Sequence, residues 1–126
     1  MPKSIPSIPS GPKAIGPYSV ATEANGFVFV SGQVAFLPGT TEKVMGDAAA
    51  EAEQVMENIG GILGDLGLGF GDIVKTTIFL ADIGDFAAVN EVYARFVGDE
   101  PPARSTFQVA GLPAGFQVEI EVIAAR

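Results

Sequence analysis

Residues 47–67, DAAAEAEQVMENIGGILGDLG, and residues 72–80, DIVKTTIFL, decide the fold of this chain. The first stretch repeats apolar side chains every three or four residues, which is typical of one buried face of an α-helix. Asp47 is suited to cap this helix and Gly67 to end it. The second stretch is rich in β-favouring residues and predicts a strand. The apolar face of the helix comprises Ala52, Val55, Met56, Ile59, Ile62, Leu63 and Leu66.

Three glycines interrupt the helical pattern and require an explanation. Each costs about 1 kcal/mol relative to alanine in a helix interior. We therefore expect a close packing contact along this face or a frayed last turn. The glycines are Gly60, Gly61 and Gly64.

On the N-terminal side, residues 27–30 (FVFV) predict a short strand entered through a turn at Asn25 and Gly26. The strand runs into residues 31–36, and a glycine in such a pattern indicates a bulge or a close backbone approach. Gly32 could therefore be a simple bulge, or Ser31, Gly32 and Gln33 could offer backbone donors to a ligand. The loop that follows, residues 37–46, has no clear conformation from sequence.

On the C-terminal side, Asp85 is a candidate cap for a second helix that ends at Gly98. Its expected apolar face is Phe86, Val89, Tyr93, Phe96 and Val97. Residues 104–110 and 116–124 predict two closing strands, joined through the Gly- and Pro-containing residues 111–115 and expected to pair as a hairpin.

The predicted order is two strands, helix, strand, helix and two strands. This order indicates an α+β two-layer sandwich in which two helices cover one face of a mixed sheet. Residues 27–30 and 77–80, however, place apolar groups on both sides of their strands. An apolar sheet face without helices is usually an interface, so we predict an oligomer.

Composition limits the chemistry more sharply than the fold does. The chain has 126 residues and a net charge of −8, and it lacks histidine, cysteine and tryptophan. Thiol nucleophiles, imidazole bases and ordinary zinc sites are therefore excluded. No metal and no cofactor is predicted, and proton transfer falls to Asp, Glu, Tyr or Lys. The acidic balance disfavours a nucleic-acid partner, because clustered cations drive phosphate binding.

Length and pattern predict one domain over residues 14–126, preceded by a proline-rich extended leader over residues 1–13. No stretch of the sequence is long and apolar enough for a membrane span, and the leader is not a secretory signal. We expect a cytoplasmic protein.

Arg104 and Glu119 are the strongest candidates for chemistry. If the last two strands form a hairpin, Arg104 could meet Glu119 or Glu121 across it. One interpretation is an ion pair on a solvated face. The other is an arginine that grips an anion beside a carboxylate that handles water. Tyr18 is either an aromatic anchor or a site residue, and Asn90 lies at the boundary of the second helix's apolar face.

Several of these segments together resemble the RidA/YjgF family, the reactive intermediate deaminases, in register from about Ala14 to Arg126. The resemblance implies a chorismate-mutase-like α+β sandwich and a homotrimer with a central barrel and active sites between subunits. The segments are residues 14–19 (AIGPYS), 30–33 (VSGQ), 71–77 (GDIVKTT), 85–90 (DFAAVN), 102–105 (PARS) and 118–121 (VEIE).

The resemblance also implies cofactor-free hydrolysis of 2-imino acids such as 2-iminobutanoate and 2-iminopropanoate to 2-keto acids and ammonia. By position, Arg104 matches the carboxylate-binding arginine and Glu119 the glutamate that positions water. The matching substrate-binding residues are Tyr18, Ser31, Gly32, Asn90 and Thr106, where Thr106 replaces a cysteine found in several members. Two alternatives remain: a 2-keto-acid-binding regulatory protein that uses the same cleft, and a ribonuclease-like translation inhibitor.

Overall fold

Five strands form one mixed sheet in the order β1-β2-β5-β3-β4, and two helices pack on one of its faces. These elements come from a computed structural model that describes residues 2–126. Only β3 and β4 run parallel, and the other neighbouring strands are antiparallel. The α+β sandwich predicted from sequence is confirmed. The elements are β1 (Ala21–Ala24), β2 (Phe27–Gln33), α1 (Ala48–Asp65), β3 (Ile73–Leu80), α2 (Phe86–Val97), β4 (Ala103–Gln108) and β5 (Val118–Ala125).

Helix α1 begins and ends as its sequence predicts. The Asp47 side chain accepts a hydrogen bond from the Ala50 amide at 2.9 Å, and Gly67 adopts a φ of 73° after the last turn. The expected close contact occurs at Gly60, where a Cβ would lie 3.0 Å from Cζ of Phe70. Gly64 has no neighbour within 4 Å of such a Cβ, so packing does not explain that glycine.

Helix α2 differs from its prediction in two respects. Asp85 occupies the N-cap position, but its side chain makes no capping hydrogen bond. The preceding turn is held instead by Asp82, whose carboxylate accepts from the Gly84 amide at 2.8 Å. The buried face includes Val92, which the prediction omitted, whereas Phe86 is exposed at the start of the helix.

The N-terminal strands form a hairpin around the predicted turn, where Asn25 and Gly26 both have positive φ. Strand β1 was not predicted, and β2 ends at Gln33 and does not continue to residue 36. The pairing of β2 with β5 shifts register between Val30 and Gln33. The bulge predicted at this position is therefore confirmed.

The expected hairpin of the last two strands is wrong. Strand β3 lies between β4 and β5, and β4 pairs in parallel with β3. A parallel partner after a helical crossover is the ordinary result of a β-α-β unit, here β3-α2-β4. The chain then passes to the other side of β3, where β5 fills the gap beside β2.

The face of the sheet opposite the helices is apolar and open. Phe27, Phe29 and Phe107 on this face are 44%, 42% and 45% exposed. Phe79 packs edge-on against Phe107, with ring centroids 5.2 Å apart. This arrangement agrees with the apolar second face predicted from the strand sequences, and such a face is typical of an interface between chains.

The N-terminal segment packs along the domain at separate points. Ser4 pairs with Glu23 at the edge of β1, and Ser10 donates hydrogen bonds to the Asp65 carboxylate from its amide and its hydroxyl. Across residues 2–126, neither helix has the length and apolar character that crossing a bilayer requires.

Candidate functional site

One cleft of about 470 Å³ opens on the helix-free side of the sheet; we call it the Glu119 cleft. Four of the predicted site residues line it: Tyr18, Ser31, Gly32 and Glu119. Its remaining wall is mainly apolar and includes Ile15, Val20, Val34, Phe36 and Pro113. A ligand with an apolar side chain fits such a lining, because apolar walls with few polar groups are typical of ligand sites.

The bulge in β2 shapes the floor of this cleft. The Ser31 hydroxyl donates a hydrogen bond of 2.6 Å to the Ser19 carbonyl, and the Gln33 amide donates to the Ser31 carbonyl at 3.0 Å. Gln33 is only 6% exposed. These bonds hold residues 31–33 against the segment that carries Tyr18, whose hydroxyl accepts from the Ile15 amide at 3.3 Å.

The Glu119 carboxylate is half-buried and makes neither an ion pair nor a side-chain hydrogen bond within residues 2–126. Burial raises the pKa of Glu119 above its ordinary value, and the negative charge of Glu121 raises it further. A carboxyl group in this environment is a better proton acceptor than a solvated glutamate.

A second cleft, more open and about 630 Å³ in volume, lies beside α2; we call it the Arg104 cleft. Asn90 and Arg104 both line it, together with Phe86 and Tyr93. The guanidinium carbon of Arg104 lies 5.1 Å from the Tyr93 ring centroid and 5.5 Å from that of Phe86. Cation–π contacts of this kind hold a guanidinium by its faces and leave its N–H edges available.

A buried hydrogen bond orients Tyr93 under Arg104. The hydroxyls of Tyr93 and Thr76 lie 2.7 Å apart, and Thr76 is also the residue opposite Arg104 in the β3–β4 pairing. Burial raises the pKa of the Tyr93 phenol, against the opposing effects of the Thr76 hydrogen bond and the Arg104 charge. The phenol therefore stays neutral beside the guanidinium.

Thr106 lies two residues beyond Arg104 on the same side of β4. Its Oγ1 is buried and has no hydrogen-bond partner within residues 2–126. A buried hydroxyl without a partner is costly, and Thr106 lines neither of the two clefts.

The structure does not bring Arg104 and Glu119 together in one chain. Arg104 pairs with buried Thr76 and lies on the helix-facing side of the sheet, whereas Glu119 pairs with Phe79 on the open side. The cross-strand ion pair considered from sequence is therefore wrong. Within residues 2–126 the one ion pair joins Arg126 to Glu23 at 2.5 Å.

Sequence reasoning missed the residues that support Arg104. Tyr93 was assigned only to the apolar face of α2, and Phe86 likewise. The available signal was spacing, because Phe86, Asn90 and Tyr93 lie on neighbouring turns of one helix face. Gln33 was named only together with Ser31 and Gly32. Its burial could not be predicted, because a glutamine in a strand is usually exposed.

These features define a small α+β sandwich with two clefts on opposite sides of its sheet, one lined by Glu119 and Glu121 and the other by Arg104 and Glu91. A sequence model of the family described as Endoribonuclease L-PSP matches residues 9–126. The chain belongs to this family, RidA/YjgF, as the sequence motifs predicted.

Individual relatives agree with this assignment. The protein DfrA of Myxococcus xanthus is 54% identical over 115 residues, which cover 90% of this chain and 88% of the relative. A mouse protein named 2-iminobutanoate/2-iminopropanoate deaminase is 43% identical over 124 residues, 98% of this chain and 92% of the relative. The crystal structure of Escherichia coli TdcF with bound serine superposes with a TM-score of 0.90 at 40% identity, covering 98% of each chain.

Proposed function

We propose that this protein hydrolyses reactive 2-imino acids, such as 2-iminobutanoate and 2-iminopropanoate, to 2-keto acids and ammonia without a cofactor. Arg104 is the observation that carries the proposal: a guanidinium in cation–π contact with two aromatic rings, with no ion-pair partner within residues 2–126. The names of relatives at 43–46% identity support it, because they are imine or reactive intermediate deaminases. A relative crystallised with serine, which carries the same carboxylate, supports it further.

The complete site is proposed to form between two copies of the chain. Arg104 and Glu119 face opposite sides of one sheet, so a small substrate cannot touch both within one subunit. Different surfaces that complement each other produce a heterologous interface, which forms a ring when the rotation between successive copies closes. A homotrimer whose open sheet faces meet would bury Phe27, Phe29 and Phe107 and place one chain's Arg104 cleft beside the next chain's Glu119 cleft.

Substrate binding is assigned to the Arg104 half of this composite site. The planar guanidinium donates two parallel hydrogen bonds to the substrate carboxylate. Asn90 lines the same cleft. Thr106, two residues further along β4, does not line this cleft and stays a proposed contact of the complete site between chains. Fixing the carboxylate orients C2 of the imine, and such positioning is worth several kcal/mol of the barrier.

Hydrolysis is assigned to Glu119. The carboxylate accepts a proton from water as the water oxygen bonds to C2 of the protonated imine, which gives a carbinolamine. Its nitrogen takes that proton back, the C–N bond breaks, and the remaining hydroxyl proton leaves with ammonia as ammonium. Tyr18, Ser31 and Gly32 would line this half and limit access of bulk water.

The chemistry requires no metal or cofactor, because a protonated imine is already electrophilic. This requirement is consistent with a chain that has no histidine and no cysteine. A short-lived imino acid has to be hydrolysed in the compartment in which it forms. We therefore propose that this protein acts in the cytoplasm, together with the pyridoxal-phosphate dehydratases that generate such imines.

The pH dependence of the reaction follows from the environment of Glu119. Glu119 must be ionised to accept a proton, so kcat/KM is expected to fall as the pH decreases through its raised pKa. The acid limb should therefore lie above the ordinary glutamate pKa of about 4.3. Glu121→Gln removes one of the two causes of the shift and should move the limb to lower pH. It should not reach the ordinary value, because burial remains.

The measurement is a pH–rate profile of both proteins, corrected for the uncatalysed decay of the imine at each pH. An acid limb at the same pH in the wild type and in Glu121→Gln would contradict the assignment of Glu119 as the base.

The proposed function itself is tested with the wild-type protein and a threonine dehydratase that generates 2-iminobutanoate. Imine loss, followed by trapping the imine, should accelerate in proportion to the concentration of the added protein. Stabilisation of the protein by 2-oxobutanoate without faster imine loss would favour the regulatory alternative. The family description names an endoribonuclease, so RNA binding at low salt is the third measurement, and the net charge of −8 predicts that none occurs.

A further inference from the structure

The glycine at position 32 lies against the carboxylate of Glu119. The register of β2 against β5 changes between Val30 and Gln33, so the chain carries an extra residue here. The bulge turns Gly32 toward the Glu119 cleft, which both residues line. A bulge next to an active site commonly redirects a residue toward the chemistry.

Backbone conformation does not require glycine at this position. The φ of Gly32 lies outside the left-handed region that favours glycine, unlike that of Gly26 or Gly39. The position of the Glu119 side chain is what leaves room only for glycine. A Cβ on residue 32 would overlap Oε2 of Glu119 and lie 2.8 Å from Cδ and 3.1 Å from Cγ. All three of its nearest neighbours would be atoms of this one side chain.

We propose that Gly32 is a positioning residue for Glu119: its missing side chain creates the recess in which the carboxylate is held. This inference rests on the proposed function for its catalytic consequence, but the contact itself is independent of it. Any side chain at position 32 would move the carboxylate out of the recess and into the cleft, where it meets more solvent.

Two consequences distinguish this role from a merely structural one. The carboxylate would no longer be positioned to direct water to C2 of the substrate. A displacement of about 1 Å can lower the rate about 10²-fold. It would also lose part of the burial that raises the pKa of Glu119, so the acid limb of the pH–rate profile would move toward the ordinary glutamate value.

The experiment compares Gly32→Ala with Gly64→Ala, a matched control whose new Cβ meets nothing within 4 Å. Gly32→Ala should lose about 10²-fold in kcat/KM and shift the acid limb to lower pH, whereas Gly64→Ala should keep wild-type activity. Wild-type kcat/KM and an unmoved acid limb in Gly32→Ala would overturn the inference.

A second pair of variants identifies the target of the clash. In a Glu119→Ala background, Gly32→Ala should cause no further loss, because the atoms it would meet are gone. An equal additional loss there would show that Gly32 acts through its own backbone and would overturn the inference. Failure of the double variant to fold would also overturn it, because the collision would then not involve Glu119.

A carboxyl titration by NMR separates this inference from the proposed function. Gly32→Ala should lower the pKa of the Glu119 carboxyl even if the protein does not hydrolyse imines. An inactive wild-type protein with this shift would refute the deaminase proposal and leave the Gly32 contact standing. An active wild-type protein, with no pKa shift of Glu119 in Gly32→Ala, would support the deaminase proposal and refute the role of Gly32.

Discussion

Replacing Arg104 with alanine is expected to lower kcat/KM for 2-iminobutanoate by about 10³-fold while the assembly survives. Each charge-assisted hydrogen bond to the substrate carboxylate contributes about 1.5–3 kcal/mol, and about 1.4 kcal/mol corresponds to tenfold in rate. Two such bonds account for the loss. The coupled dehydratase assay measures it, and light scattering checks that the oligomeric state is unchanged.

Arg104→Lys should also be impaired, because an ammonium group is a point charge and does not reproduce the planar fork. The control is Arg95→Ala, since Arg95 is an exposed arginine in the last turn of α2 and lines neither cleft. This variant should keep wild-type activity. If Arg104→Ala hydrolyses 2-iminobutanoate like the wild type, the assignment of the anion site is wrong.

Glu119→Gln is expected to lower kcat by about 10²–10⁴-fold, because the amide cannot accept the proton from water. Glutamine has nearly the same shape, so the recess beside Gly32 stays filled and stability should change little. The variant should still bind 2-oxobutanoate, because the arginine that holds the carboxylate is intact. A simultaneous loss of binding would mean that Glu119 supports the structure of the site and not the chemistry.

Mixing the two inactive variants tests where the site is built. Arg104→Ala and Glu119→Gln chains are co-expressed in equal amounts. In a composite site, Arg104 comes from one chain and Glu119 from the next, so about a quarter of the interfaces have both residues intact. Activity should recover to about that fraction of the wild type. A chain carrying both substitutions should stay inactive. No recovery in well-mixed oligomers would contradict the inter-subunit site.

Much of the fold was predictable because its signals are local. The apolar spacing, Asp47 and Gly67 are enough to define α1, and the Asn25–Gly26 turn was predictable, although the strand β1 before it was not. The partner of each strand was not predictable. Strands β4 and β5 are adjacent in sequence, but β3 lies between them, because the parallel crossover through α2 occupies the position a hairpin would have taken.

The candidate site also has features that the sequence could predict and features that it could not. Arg104, Glu119, Tyr18 and Asn90 were identifiable as residue types within recognisable motifs. Their division between two clefts was not, because the side of the sheet on which a residue lies depends on register with its neighbours. The support of Arg104 by Tyr93 is likewise a contact between separate elements.

By itself, the sequence determined most of the elements, the family and the limits on chemistry, because composition, periodicity and motif spacing are properties of neighbouring residues. A chain without histidine or cysteine leaves Arg104 and Glu119 as the strongest candidates. Only the tertiary structure decided that these residues face opposite sides of one sheet, and that Gly32 leaves room for the Glu119 carboxylate. The reason is physical: strand order, register and steric clearance arise from contacts between residues far apart in the chain.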